Sequence, residues 1–316
     1  MKKVLLLVLV VVCCSFVSSA LAQPKQEQAP APTTSGQGAG EAAVSAEKTP
    51  APAEGESLTD VNKKLTNPVS DIWSISIQQN NFLLDIDGKH NQMNSNLVFQ
   101  PVLPIALHKN WNLITRPVIT FFNNTSYPGS GSVQHTTAFG DMVFMQMVSP
   151  SPNLVGGHWL LGAGPTFIFP TASSDYTGQG KWQVGPAVIV GYLADKWALG
   201  AFVQNWTSFA GDGDRRDTNQ MNLQPIAVYF LPKGWSIGYN GNILANWKAN
   251  HAEDVWTVPL GVQIAKVVKF GNIPVKLALG VQYMPVRPSN FGQEWDIQFM
   301  VVPVIPKLIK GTLFGD

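Results

Sequence analysis

Five histidines, His90, His108, His135, His158 and His251, and the serines between them come first for chemistry, since a His within reach of a Ser can activate it as a nucleophile. They are scattered along the chain, mostly in loop-like stretches or at strand ends, and no two stand at metal-ligand spacing. Outer-membrane lipases and deacylases set a Ser and a His on a lipid-facing rim, so a lipid-modifying enzyme using a serine with His251 or His135 is a third reading of the chain. The run GDGDRRD, residues 211–217, crowds Asp212, Asp214 and Asp217 but lacks the Gly and final Glu of a calcium loop, and reads as a solvated external loop. The two cysteines, Cys13 and Cys14, lie in a segment expected to be removed on export, which leaves no thiol nucleophile, disulfide or thiolate metal site. No catalytic residue, metal or cofactor is called for.

What does recur with a rule is amides and glycines set against apolar residues. In PKGWSIGYNGNILANWK, residues 232–248, Trp235, Ile237, Tyr239, Gly241, Ile243, Ala245 and Trp247 alternate with Ser236, Gly238, Asn240, Asn242, Leu244, Asn246 and Lys248. A period of two marks a β-strand with one apolar face. Twelve steps span roughly 40 Å. Tilted by about 45°, such a strand rises about 28 Å, the height of the apolar band of a membrane barrel. A soluble sandwich strand alternates too, so the rest of the chain must decide.

Only 13% of residues are charged and 45% are hydrophobic, with ten Trp and sixteen Phe, too few charges to cover an ordinary soluble surface. The opening MKK, the apolar run from Val4 to Val12 and the small residues ending at Ala20-Leu21-Ala22 have the three regions of a secretory signal peptide, cleaved near Ala22; its apolar core is short for a spanning helix. Beyond it no apolar run reaches about 18 residues, so a membrane protein with this composition must be a closed barrel. Without Lys2 and Lys3, 19 basic residues face 20 acidic ones, and nothing in that balance attracts nucleic acid.

Residues 23–57 are Ala, Pro, Gly, Gln and Glu with almost no large apolar side chain, and read as a disordered tether. SLTDVNKKL follows, with Leu58, Val61 and Leu65 at helical spacing and Ser57 with Asp60 as an N-cap pair, so a short amphipathic helix and lead-in is expected over 58–70. It either plugs or rims the barrel mouth, or frays at the end of the tether. An all-β, antiparallel up-and-down barrel of about twelve strands is expected over 71–306, near 72–79, 95–108, 111–122, 139–149, 158–169, 181–194, 197–207, 219–231, 235–247, 255–268, 274–286 and 295–304, with 307–316 as a tail. Short turns such as HKN, ADK, PKG and FGN alternate with long loops such as NNFLLDIDGKHNQM and NNTSYPGSGSVQHTTA, which puts all the turns on one side.

Trp111, Trp159, Trp197 and Trp235 each open a strand after a shorter turn and would form one aromatic girdle; Trp182, Trp206, Trp247, Trp256 and Trp295 would form the other. If the apolar faces meet lipid, the opposite parity lines the lumen: Asn112, Arg116, Thr120, Gln183, Gly185, Gly191, Asn222, Gln224, Asn240, Asn242, Asn246, Lys248, Lys276, Gln282, Asp296 and Gln298. Such a lining hydrogen-bonds water and neutral or weakly anionic solutes and lacks the opposed rows of charge of an ion-selective porin. The same amides could instead bond one another and seal a narrow lumen.

NPVSDIW at 67–73 and the run from LQPIAVYFLPKGWSIGYNGNILANWKA to EWDIQFMVVP, residues 223–303, resemble the bacterial outer-membrane proteins grouped as transporters of the meta-pathway of phenol degradation, some of which carry a neuromedin-U label. That resemblance implies a Gram-negative outer-membrane channel passing small hydrophobic or aromatic molecules, with membrane lipid, the barrel-assembly machinery and a small solute as its partners. Pro303 and Pro306 depart from a barrel that ends on an aromatic strand, so the last strand should close near Val302, with Phe299 presented to that machinery.

Overall fold

The computed structural model describes residues 56–86, 89–129, 132–289, 292–309 and 311–314. The expected signal peptide and all but the last residues of the tether lie outside them. After α1 (Leu58–Thr66), the described chain is strand after strand: β1 (Ser74–Ile86), β2 (Lys89–His108), β3 (Trp111–Pro128), β4 (Val133–Ala138), β5 (Met142–Pro150), β6 (Trp159–Phe169) and β7 (Lys181–Leu193). Then come β8 (Trp197–Gly211), β9 (Asn219–Phe230), β10 (Trp235–Tyr239), β11 (Ile243–Asn246), β12 (Trp256–Phe270), β13 (Ile273–Val286) and β14 (Gly292–Pro303).

Two pairs of segments are single staves. Both β4 and β5 pair with β3 in one continuous register, Asn123 with Ala138 and Val118 with Val143, across a break at residues 139–141. Likewise β10 and β11 both lie between β9 and β12, interrupted at residues 240–242. Each stave pairs antiparallel with its sequence neighbour and β1 pairs with β14, so the sheet has no free edge. The fold is a closed twelve-stranded antiparallel barrel. Closure pairs backbone groups across every seam, the condition for a sheet to stand in hydrocarbon.

Alternation then sorts side chains by solvent. On β7, Trp182, Val184, Val188 and Val190 are exposed while Gln183, Ala187 and Ile189 are buried; on β12, Leu260, Val262 and Ile264 are exposed while Ala265 and Val267 are buried. Large aliphatic side chains on the outer face and amides within invert the pattern of a soluble domain and suit a bilayer.

Two expected loops are strands instead. The hairpin β1–β2 continues past Asn80 to the pair Ile86–Lys89, and β3–β4 continues to Pro128–Val133. The sequence QQNNF hid the first, because both faces of β1 are polar there. Gln78 and Asn80 bond to each other at 2.8 Å, while on the opposite parity Gln79 bonds to Asn81 at 3.4 Å and Asn81 to the Ile297 carbonyl at 3.1 Å. With polar groups satisfied on both sides, the period of two disappears from the hydropathy.

Ser57 caps α1, its Oγ accepting from the Asp60 N–H at 3.1 Å. Past β14, the Ile305 N–H bonds to the Trp73 carbonyl (2.9 Å), and the tail crosses to β2, where the Leu313 and Phe314 N–H groups donate to Ala106 and Leu107 carbonyls at 2.9 and 3.0 Å. The tail is thus held by its backbone, with Leu308 and Phe314 exposed.

Candidate functional site

The lumen carries two belts of polar side chains. In the first, Asn80 on β1 is the hub: its Oδ1 accepts from Gln78 (2.8 Å) and Gln298 (3.0 Å), and its amide donates to Asn96 (2.7 Å). Gln298 Oε1 in turn accepts from Asn240 (3.2 Å) and Gln263 (3.3 Å), and the Arg116 guanidinium donates to Gln100. Asn240 reaches Gln298 by lying across Gly280, where a Cβ would fall 2.2 Å from the Asn240 amide nitrogen. Glycine at 280 is therefore the gap that lets the belt close.

The second belt follows the same device. Thr166, Gly185 and Trp206 are cross-strand neighbours on β6, β7 and β8, and Trp206 spans Gly185 so that its indole N–H donates to Thr166 Oγ1 at 3.0 Å. Gln204 donates to the same hydroxyl at 3.0 Å, and Gln220 bridges to Gln179 and Gln183 at 2.9 Å each.

Towards the short turns the lumen becomes apolar. Ile114, Met145, Met147, Leu160, Ile189, Phe202, Ile226 and Phe230 pack together with Val69 of the lead-in segment. Above that cluster α1 lies inside the mouth, with Val61 and Asn62 fully buried. Asn62 donates to the Gly234 carbonyl (3.1 Å) and Ser236 Oγ (3.0 Å), Thr59 Oγ1 donates to the Leu231 carbonyl (3.2 Å), and Lys276 Nζ donates to Thr66 Oγ1 (2.8 Å). The segment is fastened by a few hydrogen bonds and apolar contacts, with no covalent tie to the wall.

Between this segment and the first belt lies a cavity of about 190 Å³, lined by Ser74, Gln100, Arg116, Gln224, Asn240, Lys276 and Gln298 among others, with Val102, Ile226, Val228 and Met300 as apolar patches. Arg116 Nε, Asn240 Oδ1 and Asn222 Oδ1 are buried without a protein partner. Lys276 is 7% exposed, and among the described residues no carboxylate comes within ion-pair distance of it. Replacing so buried a cation by an apolar side chain of similar length removes a desolvation cost, so Lys276→Met is expected to raise the unfolding midpoint in denaturant by the equivalent of about 1 kcal/mol. A lower midpoint would mean that the ammonium is a net stabilising contact with α1.

Of the other lumen candidates, Gln183, Gln282, Asp296 and Gln298 are at most 5% exposed and inward, with Gln282 donating to Asp296 at 3.4 Å. Asn242 lines the cavity. Asn246 pairs with Gln220 at the far end of the lumen, where its Oδ1 accepts from the Lys248 N–H at 3.1 Å. Lys248 itself does not face the lumen, because β11 ends at Asn246 and residue 248 is an exposed turn position. Trp111, Trp159, Trp197 and Trp235 stand 39–50% exposed at the short-turn end, with Lys266 placed over the Trp235 ring at 4.6 Å. Trp182, Trp247, Trp256 and Trp295 are comparably exposed at the other end. Trp206 departs from the expected girdle: it is 6% exposed and inward, in the same row as Gly185. Parity on β8 also placed it there, opposite Trp197 in phase.

Sequence reasoning missed Gln78, Asn80, Asn96 and Gln100, which carry the first belt, and Asn62, which ties α1 to β10. A buried Asn on the apolar side of a short amphipathic helix was the available signal for the last.

Among the described residues, His135 and His158 each have a hydrogen-bonding neighbour. Ser126 Oγ lies 3.0 Å from His135 Nδ1, but it donates to Asn94 Oδ1 at 2.6 Å and is 2% exposed, so the imidazole cannot take its proton and no substrate reaches it. His158 is spent on the Leu193 carbonyl at 2.8 Å. Among the described residues no three His, Cys, Asp or Glu side chains gather as a metal site.

No family model matches the chain, and no curated protein matches it; the resemblance to the phenol meta-pathway proteins stays an expectation from sequence. Among solved structures, the COG4313 outer membrane channel from Pseudomonas putida F1 superposes with a TM-score of 0.56 at 15% identity, over 74% of this chain and 96% of that one. The two chains share a fold, the closed antiparallel barrel. Looser overlaps join the chain to a bacterial polysaccharide outer membrane secretin (TM-score 0.32, 8% identity, 75% and 98% covered) and to OccK2 of Pseudomonas aeruginosa (0.28, 8%, 74% and 97%).

Proposed function

We propose that the protein is a passive outer-membrane channel for small hydrophobic or aromatic solutes, with its short turns and the N-terminal segment on the periplasmic side. The observation that carries this is a closed barrel, apolar outside, whose lumen holds a cavity between an amide belt and an aliphatic and aromatic cluster. A solute with an apolar body finds the surface of Val102, Ile226, Val228 and Met300 to rest on, while the amides accept and donate to any hydroxyl it carries. The likeness to a solved channel supports the reading at the level of fold. Liposomes containing the refolded barrel are expected to admit phenol faster than empty ones and faster than they admit glucose; equal rates for phenol with and without protein remove the hydrophobic-solute reading.

A second reading, a sealed barrel with a structural or surface role, is favoured by one specific observation: α1 lies inside the mouth and the belt amides bond to one another around the inner wall. The two readings part on conductance, taken up in the Discussion.

A further inference from the structure

Three cations, Lys64, Arg116 and Lys276, line the lumen cavity, and no aspartate or glutamate does. Lys64 is neutralised by Glu56 at 2.7 Å. Arg116 and Lys276 have no such partner among the described residues. The ammonium of Lys276 makes one hydrogen bond, to Thr66 Oγ1, of the three it can donate. The guanidinium of Arg116 spends one Nη on Gln100, and its Nε is buried with nothing to donate to. A buried ammonium and a half-buried guanidinium with unspent donors on one cavity are costly unless an anion joins them.

From this we infer that the cavity is a binding site for a small organic carboxylate, with Arg116 as its bidentate clamp and Lys276 as the second compensating charge. The end of a guanidinium, with its two Nη groups, matches the two oxygens of a carboxylate, which a point charge does not. The remaining donors are the belt amides and the hydroxyls of Ser70, Ser74 and Ser76. On the other side Ile226, Val228 and Met300 offer an apolar wall for the body of the molecule. At about 190 Å³ the space is smaller than the roughly 300 Å³ at which drug-sized pockets begin, so one ring or a short chain fits. Asp296, the buried carboxylate of the same lumen, lies apart from the cavity lining and bonds to Gln282, so it does not fill this role.

This rests on the lumen being a solute path, and names the class of solute that pauses in it. The test is benzoate against its neutral isostere benzamide, added to the full-length refolded barrel, with binding read by calorimetry and by the shift in thermal unfolding. Benzoate is expected to bind and to raise the unfolding temperature while benzamide does neither. In Arg116→Gln the dissociation constant should rise at least tenfold, and in Arg116→Gln/Lys276→Gln binding should vanish, with folding of each variant verified by heat-modifiable gel migration. Equal binding of benzoate and benzamide, or benzoate binding unchanged in the folded double variant, overturns the site. If the double variant fails to fold, Arg116→Lys serves: it keeps the charge and loses the fork, so a tenfold weakening supports the clamp and undiminished affinity removes it. The channel reading fails separately, on phenol entry, which requires no binding of benzoate.

Discussion

Removal of residues 23–70 from the exported chain is expected to enlarge the single-channel conductance of the refolded barrel several-fold in a planar bilayer. The physical reason is the position of α1. Val61 and Asn62 are fully buried and Val69 is 4% exposed, all against the inner wall at one mouth, so the segment occupies the space through which ions would leave. Its hydrogen bonds go to β10 and β13 and to the turn between β9 and β10, none of which depends on it for its ladder. Each such bond contributes about 1 kcal/mol net, and burial of the three apolar side chains Val61, Leu65 and Val69 adds a few more, which is enough to hold the segment and not enough to make it indispensable to a barrel closed by its own seams. The truncated chain should therefore still fold. Unchanged steps would show that the N-terminal segment does not obstruct the path; silence from both forms, with folding verified, would favour the sealed barrel.

Substitution of Gly185 should have the largest effect on assembly. A Cβ at that position would sit 1.8 Å from the Asn205 carbonyl oxygen, a backbone atom in the adjacent strand that cannot rotate away, and Trp206 lies over the same glycine to reach Thr166. Gly185→Leu must push β7 from β8 and evict an indole whose N–H would be left buried without an acceptor. Overpacking with backbone displacement and a lost buried hydrogen bond add to at least about 3 kcal/mol. Folded yield, measured as the heat-modifiable fraction, is expected to collapse in Gly185→Leu and to fall in Gly185→Ala. Gly213→Leu is the control, since nothing lies within 4 Å of its Cβ, and its yield should match the parent. Normal folding of Gly185→Leu would mean that the close approach of β7 and β8 is not required.

The two expectations probe different layers. One removes an element docked inside the barrel; the other disturbs the wall, where a change on one strand is transmitted through an unbroken ring of ladders. The wall is a continuous backbone ladder and the insert is held by a handful of side-chain bonds, so the two differ in how readily they open.

Sequence alone determined the class of architecture. Alternation in 235–247, low charge, no long apolar run and Trp at strand ends are local or compositional properties, and each follows from the solvent on either side of a strand. The parity that put Gln183, Asn240, Gln282 and Gln298 on one face is set by the pleat, which needs no knowledge of neighbours. Tertiary structure decided what that parity could not: that QQNNF is strand with amides on both faces, that Trp206 reaches Thr166 past Gly185, and that Lys248 falls beyond the end of its strand. It also decided that Arg116 and Lys276, 160 residues apart in sequence, line one cavity without a carboxylate. Pattern along a chain reports which face a side chain takes, whereas row partners and charge balance depend on register between strands, and register is fixed only when the sheet closes.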